Sequence, residues 1–206
     1  MTPREHRDAA ALVLASASEA RRRLLAAAGI AAVVDPSGVD EDAIKAAARA
    51  ADDGPDATAV ALAEAKALAV SRRRAGVLVI GADQILVCGP RVFDKAANAE
   101  QAAETLRLLR GRSHRLISAV VLARDGATLW RYAENAWLTM RPFSDAFLAR
   151  YLEEAGDDAL TSVGAYRIEG RGIQLFSQIA GDHFTILGLP LMPLMKVLRE
   201  QGALAS

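Results

Sequence analysis

The run Val77-Leu78-Val79-Ile80 constrains this chain most. It is apolar throughout, rich in β-branched residues, and stops at Gly81-Ala82-Asp83-Gln84. Such a run reads as a strand buried on both faces, the centre of an α/β sheet. A carboxylate directly beyond it, Asp83, emerges at the carboxyl end of a strand, where α/β sheets gather ligands. An aspartate that only turns the chain between two strands fits the pattern equally well. Small residues at Gly81 and Ala82 would leave room for a substrate to approach closely.

The rest of the chain supplies partners for that strand. Ala11 to Ala15 is a short apolar run followed by Ser16-Ala17-Ser18 and a charged, leucine-bearing stretch ending at Gly29. That order predicts strand, polar turn and helix, with Ser18 as N-cap. Ile30 to Val34 reads as a second short strand. Helices are predicted over Asp56 to Arg74, Ala99 to Leu109 after Asn98, Ser144 to Glu154, and Leu191 to Gln201. The basic end Arg72-Arg73-Arg74 suits the negative pole of its helix. Ile85 to Cys88 and Arg91 to Phe93 flank Gly89-Pro90 as a hairpin, and Leu116 to Ala123 and Thr128 to Thr139 flank the stronger hairpin signal Asp125-Gly126. The apolar residues near Trp130, Trp137 and Phe143 form a core face or an interface, which periodicity does not separate, and a core face is expected.

Composition then excludes whole classes of function. With 206 residues and 52% hydrophobic residues, one domain with a good core is expected, residues 1–10 forming a flexible tail. The 25 basic and 25 acidic residues balance, so no broad field draws nucleic acid or an acidic membrane surface. Cys88 is the only cysteine, which removes an intramolecular disulfide and cysteine-rich zinc sites. No stretch is apolar enough to span a bilayer and the opening residues lack a signal-peptide pattern, so a cytoplasmic protein is expected. His6, His114 and His183 are too scattered to pair on a metal and read as ordinary polar residues. Nucleophile-elbow, Walker A and dinucleotide fingerprints are absent.

Four constellations remain. Ser16, Ser18 and Arg21 lie where a strand meets a helix N-terminus, a place that suits phosphate, although Ser18 as a plain cap and a solvated basic face explain the same residues. Asp40-Glu41-Asp42 could share a hard cation with a phosphate, or form only an acidic helix start near Ala43. Glu64 and Lys66, two apart on a helix, point to different faces, so one of them faces any site. Lys95 could place a point charge on phosphate, and the glycine-rich stretch Gly164 to Gly172 suits a ligand-hugging loop or a simple connection.

Taken in order, these segments resemble the Maf family of nucleoside triphosphate pyrophosphatases, from Leu12 to about Leu198. LVLASASEARRRLLAAAGI is similar to the family's L-A-S-x-S-P-R-R opening, Val39-Asp40-Glu41 to its V-D-E, and Ala63 to Ala67 to its A-x-x-K-A helix. VIGADQ is similar to its G-A-D-[TQ] strand end, and Gly188-Leu189-Pro190-Leu191 to its G-L-P-L. The resemblance implies an α/β fold, an elongated mixed sheet flanked by helices with two lobes around a nucleotide cleft. It also implies hydrolysis of a nucleoside triphosphate to the monophosphate and pyrophosphate. Asp83 would then be the active-site carboxylate and, with Glu41, a ligand of Mg²⁺ or Mn²⁺. Ser16, Ser18, Arg21, Lys66 and Lys95 would hold substrate. Family members are often homodimers, and the family is associated with arrest of septum formation, so a low-turnover nucleotide-binding regulator is the competing function.

Three positions bear on the base. The dTTP- and UTP-preferring branch has Arg, Thr and Gln where this chain has Ala20, Gln84 and Glu169. Gln84 and Glu169 instead resemble the branch that cleaves 7-methyl-GTP. A related pyrophosphatase acting on deaminated purines such as ITP is a third reading. The chain departs from the family at Glu19-Ala20, which replaces Pro and Arg or Trp and brings a negative charge near the anion site, and at Asp94-Lys95-Ala96, which replaces Gly-Lys-Pro.

Overall fold

The computed structural model describes residues 12–205, so the expected flexible tail lies outside the described residues. The chain runs β1 (Leu12–Leu14), α1 (Glu19–Ala27), β2 (Val33–Val34), α2 (Glu41–Ala50), α3 (Pro55–Ser71), β3 (Leu78–Cys88) and β4 (Arg91–Phe93). It continues through α4 (Ala99–Leu109), β5 (Ser113–Arg124), β6 (Ala127–Met140), α5 (Asp145–Ala155), β7 (Phe176–Ala180), α6 (His183–Ile186) and α7 (Leu191–Glu200). The strands make one mixed sheet in the order β2-β1-β3-β5-β6-β7, with β4 paired to β3. Among the described residues no helix is long and apolar enough to cross a membrane.

Two compact units divide the described residues: one holds residues 12–83, Ser118–Glu134 and residues 183–205, the other Gln84–Ile117 and Asn135–Asp182. In the first, β1 pairs in parallel with β2 and β3, Val13 opposite both Val33 and Val79. Side chains alternate across a strand. Leu78, Ile80 and Ala82 therefore share a core with Leu25 of α1 and Leu194 and Leu198 of α7. Val79 lies on the opposite face and packs with Val13, Ala15 and Val70 of α3. The core thus has a helical layer on each side of β3.

The second unit contains the β3–β4 hairpin, Cys88 opposite Arg91, and the antiparallel β6–β7 pair, Leu138 opposite Ile179. Asn98 and Ser144 cap α4 and α5, which pack against each other. His114, Tyr166 and Phe176 form an aromatic cluster, with the Tyr166 and Phe176 rings 4.8 Å apart and edge to face.

Several expectations need correction. The runs on either side of Gly81-Ala82-Asp83-Gln84 are one strand, so Asp83 lies within β3 rather than beyond its end. It is the neighbouring β1 that stops, at Leu14, with the Ala15 amide donating to the Ile80 carbonyl at 2.8 Å. Helix α3 ends at Ser71, and Arg73 and Arg74 lie past it on Asp35, at 2.5 and 2.9 Å, rather than at the helix pole. A carboxylate is a stronger partner for a guanidinium than a partial dipole charge. Of Ile30 to Val34 only Val33–Val34 pairs as strand, because Ile30 turns into the core. Trp137 is not core: 55% of it is exposed on β6, under the Arg115 guanidinium. His114, expected as an ordinary polar residue, is fully buried. Strand β7 and α6 had no expectation.

Candidate active site

Helix α3 presents a buried stripe at Ala59, Leu62, Ala63, Lys66, Ala67 and Val70. The three- and four-residue spacing puts these on one face, with a lysine inside an otherwise apolar row. Opposite it on β3 stands Gly81, where an added Cβ would lie 2.1 Å from the Ala63 carbonyl oxygen and 2.7 Å from the Ala67 nitrogen. The missing side chain lets helix backbone rest on strand backbone, so the space over Gly81 belongs to α3 and not to a substrate. Two residues on, Asp83 points to the same face. Lys66 Nζ consequently reaches Asp83 Oδ1 at 2.6 Å, with both side chains almost wholly buried. Glu64, on another face of α3, takes a hydrogen bond from Thr128 and pairs with Arg131.

The acidic triplet sorts itself at the start of α2. Asp40 is the N-cap, accepting from the Ala43 amide at 3.0 Å, and Asp42 is solvent-facing near Lys45. Glu41 turns inward, its Oε1 2.7 Å from Lys66 Nζ. The loop before it is fastened by Asp35 to Arg73 and Arg74, while Arg73 also donates to the Pro36 and Ser37 carbonyls. Burial pushes the Glu41 carboxyl upward, but the Lys66 hydrogen bond and the charges of Lys66, Lys45 and Arg21 outweigh it and hold the group below the ordinary glutamate range.

Ser16 and Ser18 lie in the turn between β1 and α1. Ser18 Oγ caps α1 by accepting from the Arg21 amide, and Ser16 Oγ accepts from the Ser18 amide at 3.2 Å. Arg21 shares the buried face of α1 with Leu25 and is only 8% exposed. Its Nε donates to the Gly188 carbonyl at 2.8 Å, and its Nη1 to Ser16 Oγ at 3.0 Å and the Ala82 carbonyl at 2.8 Å. Burial lowers its pKa below that of an ordinary arginine, against the pull of Asp83 and Glu41. This guanidinium ties the β1–α1 turn, β3 and the segment before α7 together. The Gly188 carbonyl was not singled out from sequence, although the G-L-P-L motif holds it. Ala20 is partly buried in the first turn of α1. The departing Glu19 is held on the exposed face by Arg22 at 2.5 Å and Arg23 at 2.9 Å, which lower its pKa to about 2.

The first unit therefore brings together Ser16, Ser18, Arg21, Glu41, Lys66 and Asp83, with the charges of Arg21 and Lys66 balanced by those of Glu41 and Asp83. Among the described residues no group of three or more His, Cys, Asp or Glu could hold a metal. Two carboxylates sharing one ammonium nevertheless suit Mg²⁺ or Mn²⁺, hard cations that take one or two carboxylates and complete their shell from substrate phosphates. Chemically, the cluster offers a buried carboxylate to orient and deprotonate water, with cationic groups near developing oxygen charge.

The remaining positions lie in the second unit. Gln84 follows Asp83 on β3 and is partly buried. Lys95 is exposed, its backbone bridged to Val163. Glu169 Oε1 accepts from Arg167 Nε at 3.0 Å and Nη2 at 2.9 Å, and Arg167 also reaches Asp158. The loop before it is pinned by Tyr166, whose hydroxyl lies 2.7 Å from His114 Nε2, and by the Ala165 carbonyl, which accepts from Tyr151 at 3.1 Å. Ala165 itself holds a φ of 60°, a left-handed conformation that costs a residue with a Cβ about 1 kcal/mol or more.

Comparison with known proteins identifies the family. The family model described as Maf-like protein matches residues 11–201. A 7-methyl-GTP pyrophosphatase of Rhizobium meliloti (strain 1021) is 50% identical over 193 residues, which cover 94% of this chain and 97% of the relative. A nucleoside triphosphate pyrophosphatase of Paramagnetospirillum magneticum is 53% identical over 192 residues, 93% of this chain and 99% of that protein. Another of the same name from Caulobacter vibrioides is 53% identical over 193 residues, 94% and 96% respectively. With a family match across nearly all of its length and relatives at half identity, the chain belongs to the Maf-like protein family.

Proposed function

We propose that this chain hydrolyses a nucleoside triphosphate to the monophosphate and pyrophosphate, with 7-methyl-GTP as its preferred substrate. The observation that carries the reading is the Asp83–Lys66–Glu41 cluster, with Asp83 and Lys66 buried and Glu41 half-exposed, in the unit that also holds the Ser16–Ser18 turn. Relatives bearing both pyrophosphatase names support it.

In this reading Asp83 orients a water toward the α-phosphorus and accepts its proton as the bond to the α,β-bridging oxygen breaks. A Mg²⁺ or Mn²⁺ held by Asp83 and Glu41 would supply Lewis-acid neutralisation of the phosphate oxygens when bound. Ser16 and Ser18 hold the turn whose donors face phosphate, Lys66 and Lys95 supply positive charge to it, and Arg21 keeps the turn in register with β3. Glu169 reads guanine through hydrogen bonds from N1–H and the 2-amino group, with Gln84 as the second base contact. Arg167 fixes the Glu169 carboxylate and offsets part of its charge, so discrimination rests on hydrogen-bond geometry more than on attraction to a methylated ring.

The test is pyrophosphate release from 7-methyl-GTP, GTP, dTTP, UTP, CTP and ITP, with Mg²⁺ or Mn²⁺, by wild type, Asp83→Asn and Glu169→Gln. The expected result is fastest release from 7-methyl-GTP, none from Asp83→Asn, and a loss of the 7-methyl-GTP preference in Glu169→Gln. Fastest release from dTTP or UTP would overturn the base assignment. Tight nucleotide binding by wild type without turnover would make the chain a nucleotide-binding regulator.

A further inference from the structure

We propose that Lys66 is the resting counter-ion of the Asp83 and Glu41 carboxylates, competing with a divalent cation there, and that the cation binds more tightly when a nucleotide is present. The inference rests on the reading of this cluster as the metal-holding end of a triphosphate site.

The geometry comes first. Lys66 Nζ lies 2.6 Å from Asp83 Oδ1 and 2.7 Å from Glu41 Oε1, so the ammonium sits where a cation bridging the two carboxylates would sit. Its position is built in rather than adventitious, since the lysine belongs to the buried stripe of α3 and its side chain is only 9% exposed. A metal using the same two oxygens displaces that ammonium, and one on the other carboxylate oxygens meets its charge at close range.

Charge then decides the order of events. Arg21, Lys66, Glu41 and Asp83 together are neutral, and Arg21 is held buried by protein acceptors. A divalent cation entering alone would leave two uncompensated positive charges in a poorly solvated place, which is costly. A triphosphate entering with it brings several negative charges and further oxygen ligands. It also gives the ammonium a new partner, which the flexible four-carbon stem of lysine can reach without moving the helix. Among the described residues the cluster has no third metal-ligating group, so the chain alone offers a weak site.

The experiment measures Mn²⁺ binding to the full chain without nucleotide, by the loss of the free-Mn²⁺ electron paramagnetic resonance signal. Lys66→Met keeps the length of the side chain and removes its charge. It is expected to bind Mn²⁺ about tenfold more tightly than wild type, and Lys66→Met/Asp83→Asn to lose that gain. Folded Lys66→Met with Mn²⁺ affinity equal to or below wild type would overturn the assignment. Should the variant not fold, wild type decides: with the Mn²⁺ chelated by free nucleotide subtracted by a protein-free titration, α,β-methylene-GTP is expected to tighten Mn²⁺ binding to the chain about tenfold, and equal affinity with and without it would overturn the assignment. A gain of Mn²⁺ affinity in Lys66→Met, with no triphosphate cleaved by wild type, would sink the pyrophosphatase reading while leaving the counter-ion in place.

Discussion

Gly81 of β3 meets the Ala63 carbonyl of α3 so closely that a Cβ would lie 2.1 Å from its oxygen. Both atoms of the clash are backbone or fixed to it, so neither can step aside as a flexible side chain would. Gly81→Ala is therefore expected to destabilise the chain by about 3 kcal/mol, the upper end for overpacking, and to lift Lys66 from Asp83. Urea unfolding reads the first effect, and a fall in pyrophosphate release larger than the folded fraction explains reads the second.

Arg21 should prove a positioning residue. Its guanidinium serves the Gly188 carbonyl, the Ala82 carbonyl and Ser16 Oγ from one planar fork. Arg21→Ala takes the guanidinium donors from the Gly188 and Ala82 carbonyls, while Ser16 Oγ keeps the Ser18 amide, at an expected cost of about 3 kcal/mol. Arg21→Lys should recover less than half of it, because one ammonium does not reproduce the fork. Equal stability of the lysine variant and wild type in urea would refute the role.

Acid should weaken the fold through His114 before it acts through Glu41 or Asp35. Burial lowers His114 from 6.5 to about 4, so between those values the unfolded chain binds a proton that the folded chain refuses. Stability from this group is complete above pH 6.5 and falls as the pH drops toward 4. Between pH 6.5 and 5 the loss should be about 2 kcal/mol. Glu41 and Asp35, both held below their ordinary ranges, add a loss only at lower pH. In urea unfolding across pH 5 to 6.5, His114→Gln should show a flatter dependence than wild type, and a parallel one would refute the assignment.

Glu19 should be silent at the site. Its charge is matched on the exposed face by Arg22 and Arg23, and exposed pairs contribute little. Glu19→Gln is expected to leave the urea midpoint unchanged and to change KM for the triphosphate by less than about twofold. A larger fall in KM would mean that its charge reaches the anion site.

Local signals carried the sequence reading where chemistry is local. Ser18, Asn98 and Ser144 announce their helices as caps, and Asp125-Gly126 announces its turn, both residues having positive φ. The inward face of α3 was half legible: Glu64 and Lys66 had to diverge, but nothing in the sequence says that β3 lies under the lysine. Gly81 misled because a small residue marks close approach without naming what approaches, and here it is a helix. β7 stayed hidden because all but one of its residues are exposed, so neither a buried run nor an alternation marks it in the sequence. The interior role of Arg21 was hidden by its neighbours, since Arg21, Arg22 and Arg23 look alike in sequence and only the helical turn sends one of them inside.

The far end of α3 is also tied down. Ser71 Oγ accepts from the Gly126 amide at 3.2 Å, and Asp125 Oδ1 accepts from the Gly76 amide at 2.6 Å. Five residues of helix separate Ser71 from Lys66, roughly 7.5 Å of rigid rod at 1.5 Å per residue. A change in the β5–β6 hairpin turn is thus delivered as a lever stroke to the ammonium between Asp83 and Glu41, so remote surface substitutions at Asp125 or Gly126 should register as altered chemistry.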